Sequence, residues 1–184
     1  MRRIIAFALI MVLVLAVAFS DAEGKHFIDT ESGVSFEVPT GWEEVPNVDN
    51  NESVKIQYTP STSVGQTTVA LAVLDLYSAV NLSQYGVTRK EIDFSFLDDD
   101  LITTMLGPLE AKSNTVKQYG NYKYKVITTT LERTKAGLKF FFNCEMMITL
   151  VNGYVIVFQY LEMNHSEEYH TVLESILSSV QIKQ

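Results

Sequence analysis

Three histidines, one cysteine and several acidic runs are the side chains that could carry chemistry in this 184-residue sequence. A zinc site needs at least three nitrogen, sulfur or carboxylate donors converging on one ion. His170 and Glu174 lie one helical turn apart, His165 stands just ahead of them, and His26 is remote in sequence. No HExxH-type spacing accompanies them, so His170 with Glu174 reads as a surface pair and no metal ligand is assigned. Asp98, Asp99 and Asp100, with Asp93 upstream, raise the question of calcium. Consecutive aspartates on a helix point in different directions, and the EF-hand spacing with its central Gly and terminal Glu is missing. A solvated helix start is the expectation there. Glu43 and Glu44, with Asp49 and Glu52, make a second acidic stretch with the same reading.

Nucleophile motifs are missing as well. There is no G-x-S-x-G elbow and no S-x-x-K with its partner motifs. The nine glycines are scattered and form no phosphate-cradling G-x-G-x-x-G loop. Cys144 lies in the apolar run from Phe140 to Leu150, which predicts a buried, inert thiol. A lone cysteine also excludes an internal disulfide. Asn51-Glu52-Ser53, Asn81-Leu82-Ser83 and Asn164-His165-Ser166 match the glycosylation sequon, a match expected by chance in a sequence with many Asn, Ser and Thr. Tyr119, Tyr122, Tyr124, Tyr154 and Tyr160 are numerous enough to line a groove, although tyrosine on a strand also serves ordinary packing. The expectation is a non-enzyme without catalytic residues or cofactor. One alternative is a small metal-dependent hydrolase using His165, His170 and a nearby carboxylate. Another is an envelope-anchored structural protein.

The first twenty residues address compartment. Met1-Arg2-Arg3 is a short basic start, residues Ile4 to Ala18 are apolar, and Ala18-Phe19-Ser20 offers small residues where a signal peptidase reads. Residues 1–20 are therefore expected to be a signal peptide cleaved before Asp21, with cleavage after Ala22 as the second choice. The run falls short of the roughly 20 apolar residues of a membrane span. The chain is expected to work outside the cytoplasm, secreted, periplasmic or in the cell envelope. Cys144 is far from the leader, so the chain lacks a lipoprotein cysteine at the cleavage site. Losing Arg2 and Arg3 lowers the formal charge of −8 by two, to −10. So acidic a chain disfavours nucleic acid and anionic membranes as partners. A membrane enters only through an uncleaved leader, and the expected partner is an unknown protein or small-molecule ligand. Lys123 and Lys125 alternate along a strand and read as a solvated sheet face.

These residues need a scaffold, and one domain from Lys25 to Gln184 is the economical reading. Phe27-Ile28-Asp29 is a candidate strand turned by Glu31-Ser32-Gly33. Val34, Phe36 and Val38 alternate with Ser35 and Glu37, the period of a half-buried strand. Pro39-Thr40-Gly41 ends it and Trp42 begins another. After a polar loop from Pro46 to Ser53, Val54 to Tyr58 is a short strand with Val54, Ile56 and Tyr58 on one face. Thr67 to Leu76, apolar on both faces, suits a covered central strand. Thr88-Arg89-Lys90-Glu91 fits a capping box. A second helix starts at Asp98–Asp100, buries Leu101, Ile102, Met105 and Leu106, and stops at Gly107-Pro108.

A three-stranded meander follows: Tyr122 to Arg133, Leu138 to Val151, and Tyr154 to Glu162. Thr134-Lys135-Ala136-Gly137 makes the first turn and Asn152-Gly153 the second, the latter suited to the positive φ angles of a two-residue hairpin turn. That turn sets Leu150 against Val155, Ile148 against Val157 and Met146 against Gln159, with Val151/Tyr154, Thr149/Ile156 and Met147/Phe158 on the opposite side. Both faces are apolar, so both need cover. Ser166 to Val180 is an amphipathic helix with Ser166 as N-cap and a stripe of Tyr169, Val172, Leu173, Ile176, Leu177 and Val180.

The segment from Gly33 to Trp42, ending in Pro39-Thr40-Gly41-Trp42, resembles the opening of PsbP-like and DcrB-like proteins. Leu173 to Val180 resembles the final helix of the same family. The resemblance covers about a fifth of the chain, and Pro-x-Gly-Trp is also ordinary turn chemistry. It implies an α+β fold with an antiparallel sheet and helices on both faces, an α/β/α sandwich. It also implies a non-catalytic binding or accessory role, with no catalytic residues to carry over. The leader argues against the family's nuclear Ran-binding branch and does not resemble a chloroplast transit peptide.

Overall fold

The computed structural model describes residues 25–46, 52–62, 66–107, 110–135 and 137–183. The leader and its cleavage positions, Asp49, Asn51, Pro108 and Ala136 lie outside these residues.

Asn152 and Gly153, at φ 50° and 76°, turn β8 (Leu138–Val151) into β9 (Tyr154–Glu162). Both residues need positive φ, which Asn and Gly accept at least cost. The register is the one read from the sequence, with Leu150 opposite Val155, Met146 opposite Gln159 and Met147 opposite Phe158. β7 (Tyr122–Lys135) pairs with the far edge of β8, and β6 (Ser113–Tyr119) pairs with β7. On the other side β9 pairs with β5 (Thr67–Asp75), which continues to β4 (Val54–Pro60) and β3 (Trp42–Glu44). The seven-stranded order is β3-β4-β5-β9-β8-β7-β6, antiparallel throughout, with β9 and β8 at its centre. A smaller antiparallel sheet joins β1 (Lys25–Ile28), β2 (Val34–Val38) and β10 (Gln181–Ile182), with β2 in the middle.

Alternation along the central strands sends their apolar residues to two cores. Met147, Ile156, Phe158 and Tyr160 pack with Val34 and Phe36 of the small sheet and with Leu173, Ile176 and Leu177 of α3 (Glu167–Ser179). Met146, Ile148, Val155 and Val157 pack instead with Ile92, Leu97, Ile102 and Met105. Ile102 and Met105 belong to α2 (Asp99–Leu106), whose N-cap Asp98 accepts from the Leu101 amide at 2.7 Å. Ser166 caps α3 by accepting from the Tyr169 amide at 3.4 Å, and Glu167 and Glu168 occupy its first turn. Trp42 is buried and meets the Tyr169 ring edge-on, at a centroid distance of 6.0 Å.

Four local expectations are corrected. Thr88 to Glu91 opens only a 3-10 turn, Arg89–Glu91, followed by another at Phe94–Phe96. The capping box itself is present, with the Glu91 carboxylate accepting from the Thr88 amide at 2.7 Å and from the Thr88 hydroxyl at 2.9 Å, but the helix it opens is this single turn. Val54 does not share a face with Ile56 and Tyr58. A bulge between Val54 and Ile56 shifts the register, so Val54 joins the α2 side and the other two the α3 side. Thr67 to Leu76 ends one residue early, because Asp75 caps the short helix α1 (Leu76–Ala79) by accepting from the Ser78 amide. Lys125 is not on a solvated face: α2 lies over it, and it pairs with Asp99 at 15 % side-chain exposure.

Ile176 is 1 % exposed between α3 and the sheet. Ile176→Asp should cost on the order of 3 kcal/mol or more by burying an unpaired charge. A urea melt with an unchanged midpoint would show that α3 does not pack there.

Candidate functional site

A buried carboxylate marks the junction of β9 and α3. Glu162 is only 5 % exposed, so its charge needs donors. Oε2 accepts from the Tyr160 hydroxyl at 2.7 Å and the Ser166 amide at 3.2 Å, and Oε1 lies 3.1 Å from Nδ1 of His165. Nε2 of His165 lies 3.0 Å from Oε1 of Glu167. Carboxylates at both ring nitrogens, Glu167 foremost and then Glu162, raise the His165 pKa above its ordinary value. The imidazole in turn lowers that of Glu167. Burial, reinforced by donation to Glu162, pushes the Tyr160 hydroxyl well above the usual phenol range.

The second histidine has separate partners. Nε2 of His170 is 3.2 Å from Glu145, Nδ1 is 3.9 Å from Glu174, and the ring stands edge-on to Tyr160. His165 and His170 thus address different carboxylates, and His26 lies on the small sheet opposite Glu37. Among the described residues, no group of three His, Cys, Asp or Glu side chains is placed to hold a metal ion. The Glu162 cluster ties the β9–α3 turn together, with its carboxylate oxygens occupied by protein groups.

The other sequence candidates also have structural partners. Asp93 accepts from the amide and hydroxyl of Ser95, and Asp99 from Lys125 and from Nδ2 of Asn114. Those bonds, the one from Lys125 foremost, lower the Asp99 pKa. Cys144 is buried, with the Gln159 amide donating to its sulfur at 3.5 Å. The tyrosines do not converge on one groove. Tyr119, Tyr124 and Tyr160 are buried in the α3-side core, Tyr122 packs against it, and Tyr154, which also packs there, lines an open cleft.

That cleft encloses about 560 Å³ and lies where the two sheets approach each other. Its walls are the β1–β2 turn at residues 28–33, Arg89 and Lys90, Asn152 and Tyr154 of the central hairpin, and Lys183 beyond β10. Arg89 forms the rigid side. Its guanidinium donates to both Asp75 oxygens at 3.0 and 2.6 Å and to the Ser78 hydroxyl at 3.0 Å. It also sits between two rings, 4.7 Å from the Tyr77 centroid and 4.9 Å from that of Tyr154. Burial opposes ionisation of Asp75, but hydrogen bonds from Arg89 and Ser78 outweigh it and hold the carboxyl below its ordinary value. The acids of the cleft are also engaged: Asp29 accepts from the amide and hydroxyl of Ser32, and Glu31 pairs with Lys55 at 3.0 Å. Lys90 and Lys183 line the cleft with no ion pair among the described residues. Four separated segments build it, and of its lining residues Tyr154 alone was a binding candidate in the sequence.

No protein-family model matches the chain, and no curated protein matches it by sequence. Solved structures do match. A Bacteroides thetaiotaomicron VPI-5482 protein superposes with a TM-score of 0.57 at 11 % identity, over 89 % of this chain and 50 % of that one. The chain therefore spans half the length of that protein. Cyanobacterial PsbP (CyanoP) from Synechocystis sp. PCC 6803 superposes with a TM-score of 0.52 at 13 % identity, over 93 % of this chain and 99 % of the other. The fold is PsbP-like, a mostly antiparallel sheet with helices, as the Pro-x-Gly-Trp segment and final helix implied.

The pH dependence of His165 has a definite sign. A histidine whose pKa rises on folding adds stability that is fully present below its unfolded value of about 6.5 and is lost as pH rises through the folded value. The stability difference between the parent and His165→Gln should be largest on the acid side of that window, while Glu167, whose own pKa is lowered, remains ionised, and should shrink as pH rises. Urea midpoints measured across this range check it, and a gap that widens with pH contradicts the assignment.

Proposed function

We propose that this chain is an extracytoplasmic, non-catalytic binding or accessory protein, one α/β/α-sandwich domain from Lys25 to Gln184 behind a cleaved leader. The observation that carries the reading is the cleft beside Arg89. It has a rigid side at Arg89, engaged acids and two lysines with no ion pair among the described residues. Such a surface recognises a carboxylate or phosphate on a small molecule or protein segment, with Tyr154 and the half-exposed Ile28 as apolar contacts. The PsbP-like fold supports a binding role, and the histidine–carboxylate clusters are occupied with stabilising the β9–α3 junction.

Titration with citrate and with inorganic phosphate tests the cleft. Backbone amide resonances of Ser32, Gly33, Lys90 and Asn152 should move together, and Lys90→Glu/Lys183→Glu should abolish the response without lowering the melting temperature. Resonance shifts confined to other surfaces, or none with either anion, refute the site. Intact mass of the protein recovered from its native compartment should match loss of residues 1–20. A full-length mass would favour the anchored alternative.

A further inference from the structure

Two strands outrun their neighbours. β9 ends where Glu162 faces Asn143, and β6 begins where Ser113 faces Thr128. β7 and β8 stay paired beyond both, out to Lys135 opposite Leu138. Residues 130–135 and 138–142 thus form a two-stranded arm with no third strand on either edge among the described residues. An edge of this length, ending in Leu138-Lys139-Phe140-Phe141-Phe142, is one that soluble proteins ordinarily shield.

The arm exposes apolar side chains on both faces. Met147 belongs to the α3-side core, and the two-residue period puts Phe141 and Lys139 on that face. Phe142 and Met146 belong to the α2-side core, which puts Leu138 and Phe140 on the opposite one. Phe141 is 57 % exposed and Leu138 64 %. The arm is also basic: Arg133, Lys135 and Lys139 against Glu132 give it +2, leaving −10 for the rest of a chain whose formal charge is −8.

These observations select one kind of partner. A flat protein surface covers one face of a narrow ribbon, so it would leave either Leu138 or Phe141 in water. A second copy would bring up an arm of the same positive charge. An anionic lipid surface surrounds an inserted tip on both faces and attracts its basic residues. We propose that the β7–β8 arm is a shallow membrane-binding element that docks the protein on anionic lipid. Leu138 and Phe141 enter the headgroup–acyl boundary while Lys139, paired with Glu132 of the same arm at 2.7 Å, stays at the level of the headgroups. Edge amides and carbonyls with no strand partner among the described residues hold the arm at this hydrated level, because hydrocarbon cannot satisfy them. The acidic body is repelled by the same surface, which orients the molecule arm first. The overall acidity that disfavours such membranes in the sequence thus conceals a local charge of opposite sign.

Co-sedimentation of the full chain with phosphatidylglycerol–phosphatidylcholine vesicles, and with phosphatidylcholine vesicles alone, tests the proposal. Anionic vesicles should bind the parent roughly tenfold or more better than Leu138→Ser/Phe141→Ser, with a further loss in Lys139→Glu and weakening as salt rises. The apolar leader is common to all variants, so the difference isolates the arm. Both serine sites are exposed, and an unchanged melting temperature confirms that the variant is folded. In Phe141→Trp, the emission of the added indole should shift to the blue with anionic vesicles, against the buried Trp42. Equal binding by the serine variant, an unmoved indole, or a parent that ignores both vesicle types overturns the proposal. A parental dimer lost in the serine variant assigns the arm to a second copy and also overturns it.

Discussion

The turn at Asn152-Gly153 is clasped from outside the sheet. The Gly153 amide donates to the Ile92 carbonyl at 2.9 Å, and the Gly153 carbonyl accepts from the Tyr77 amide at 3.2 Å. A β-carbon at Gly153 would lie 2.7 Å from that of Tyr77, so the clasp closes only on glycine. The tight turn fixes the β8–β9 register, and a slip of one residue would exchange the two faces of the strand. Each face has its own core, so a β9 slipped by one residue would set Val157 against α3 and Phe158 against α2. The same two hydrogen bonds attach the layer of short turns to the sheet. Turn conformation, strand register and layer packing therefore depend on one another.

Polar groups finish what burial begins. Glu162 stands where β9 stops, and a carboxylate there would be costly if any of its donors were missing. Its donors come from the strand, the turn and the helix start, so α3 leaves the sheet in a defined direction. Trp42 then meets Tyr169 from the opposite edge of the sheet, which gives the Pro-x-Gly-Trp segment a packing role. Arg89 holds a comparable position at the far end of β9, between the rings that follow β5 and open β9.

Much of the architecture was legible wherever an element announces itself locally. The β8–β9 register followed from Asn152-Gly153, α3 from its stripe and Ser166, and α2 from Asp98 and the aspartates after it. β6 was not foreseen, because six of its seven residues are exposed and no apolar alternation marks them. β10 is two residues long, too short for any period. The bulge in β4 reversed a face that simple alternation assigns, and bulges carry no reliable residue signature. The cleft was least legible, since Lys90 and Lys183 become neighbours only after the small sheet joins the end of the chain to its beginning. Lys125 failed for a related reason: the helix that covers it lies elsewhere in the sequence.

The strand order carries a consequence for how the chain reaches this state. β3, β4 and β5 follow one another as neighbours, and so do β6, β7, β8 and β9. Each group can zip from its own turns by short loop closures, which cost little entropy. Only the seam between β5 and β9 joins partners distant in the chain, with Asp75 opposite Tyr154 and Thr67 opposite Glu162. The large loop-closure cost of the sheet is therefore concentrated at this one seam. Asp75, Arg89, Tyr77 and Tyr154 straddle one end of the seam, so the charged and aromatic stack that rigidifies the cleft also fastens the joint with the longest loop to close.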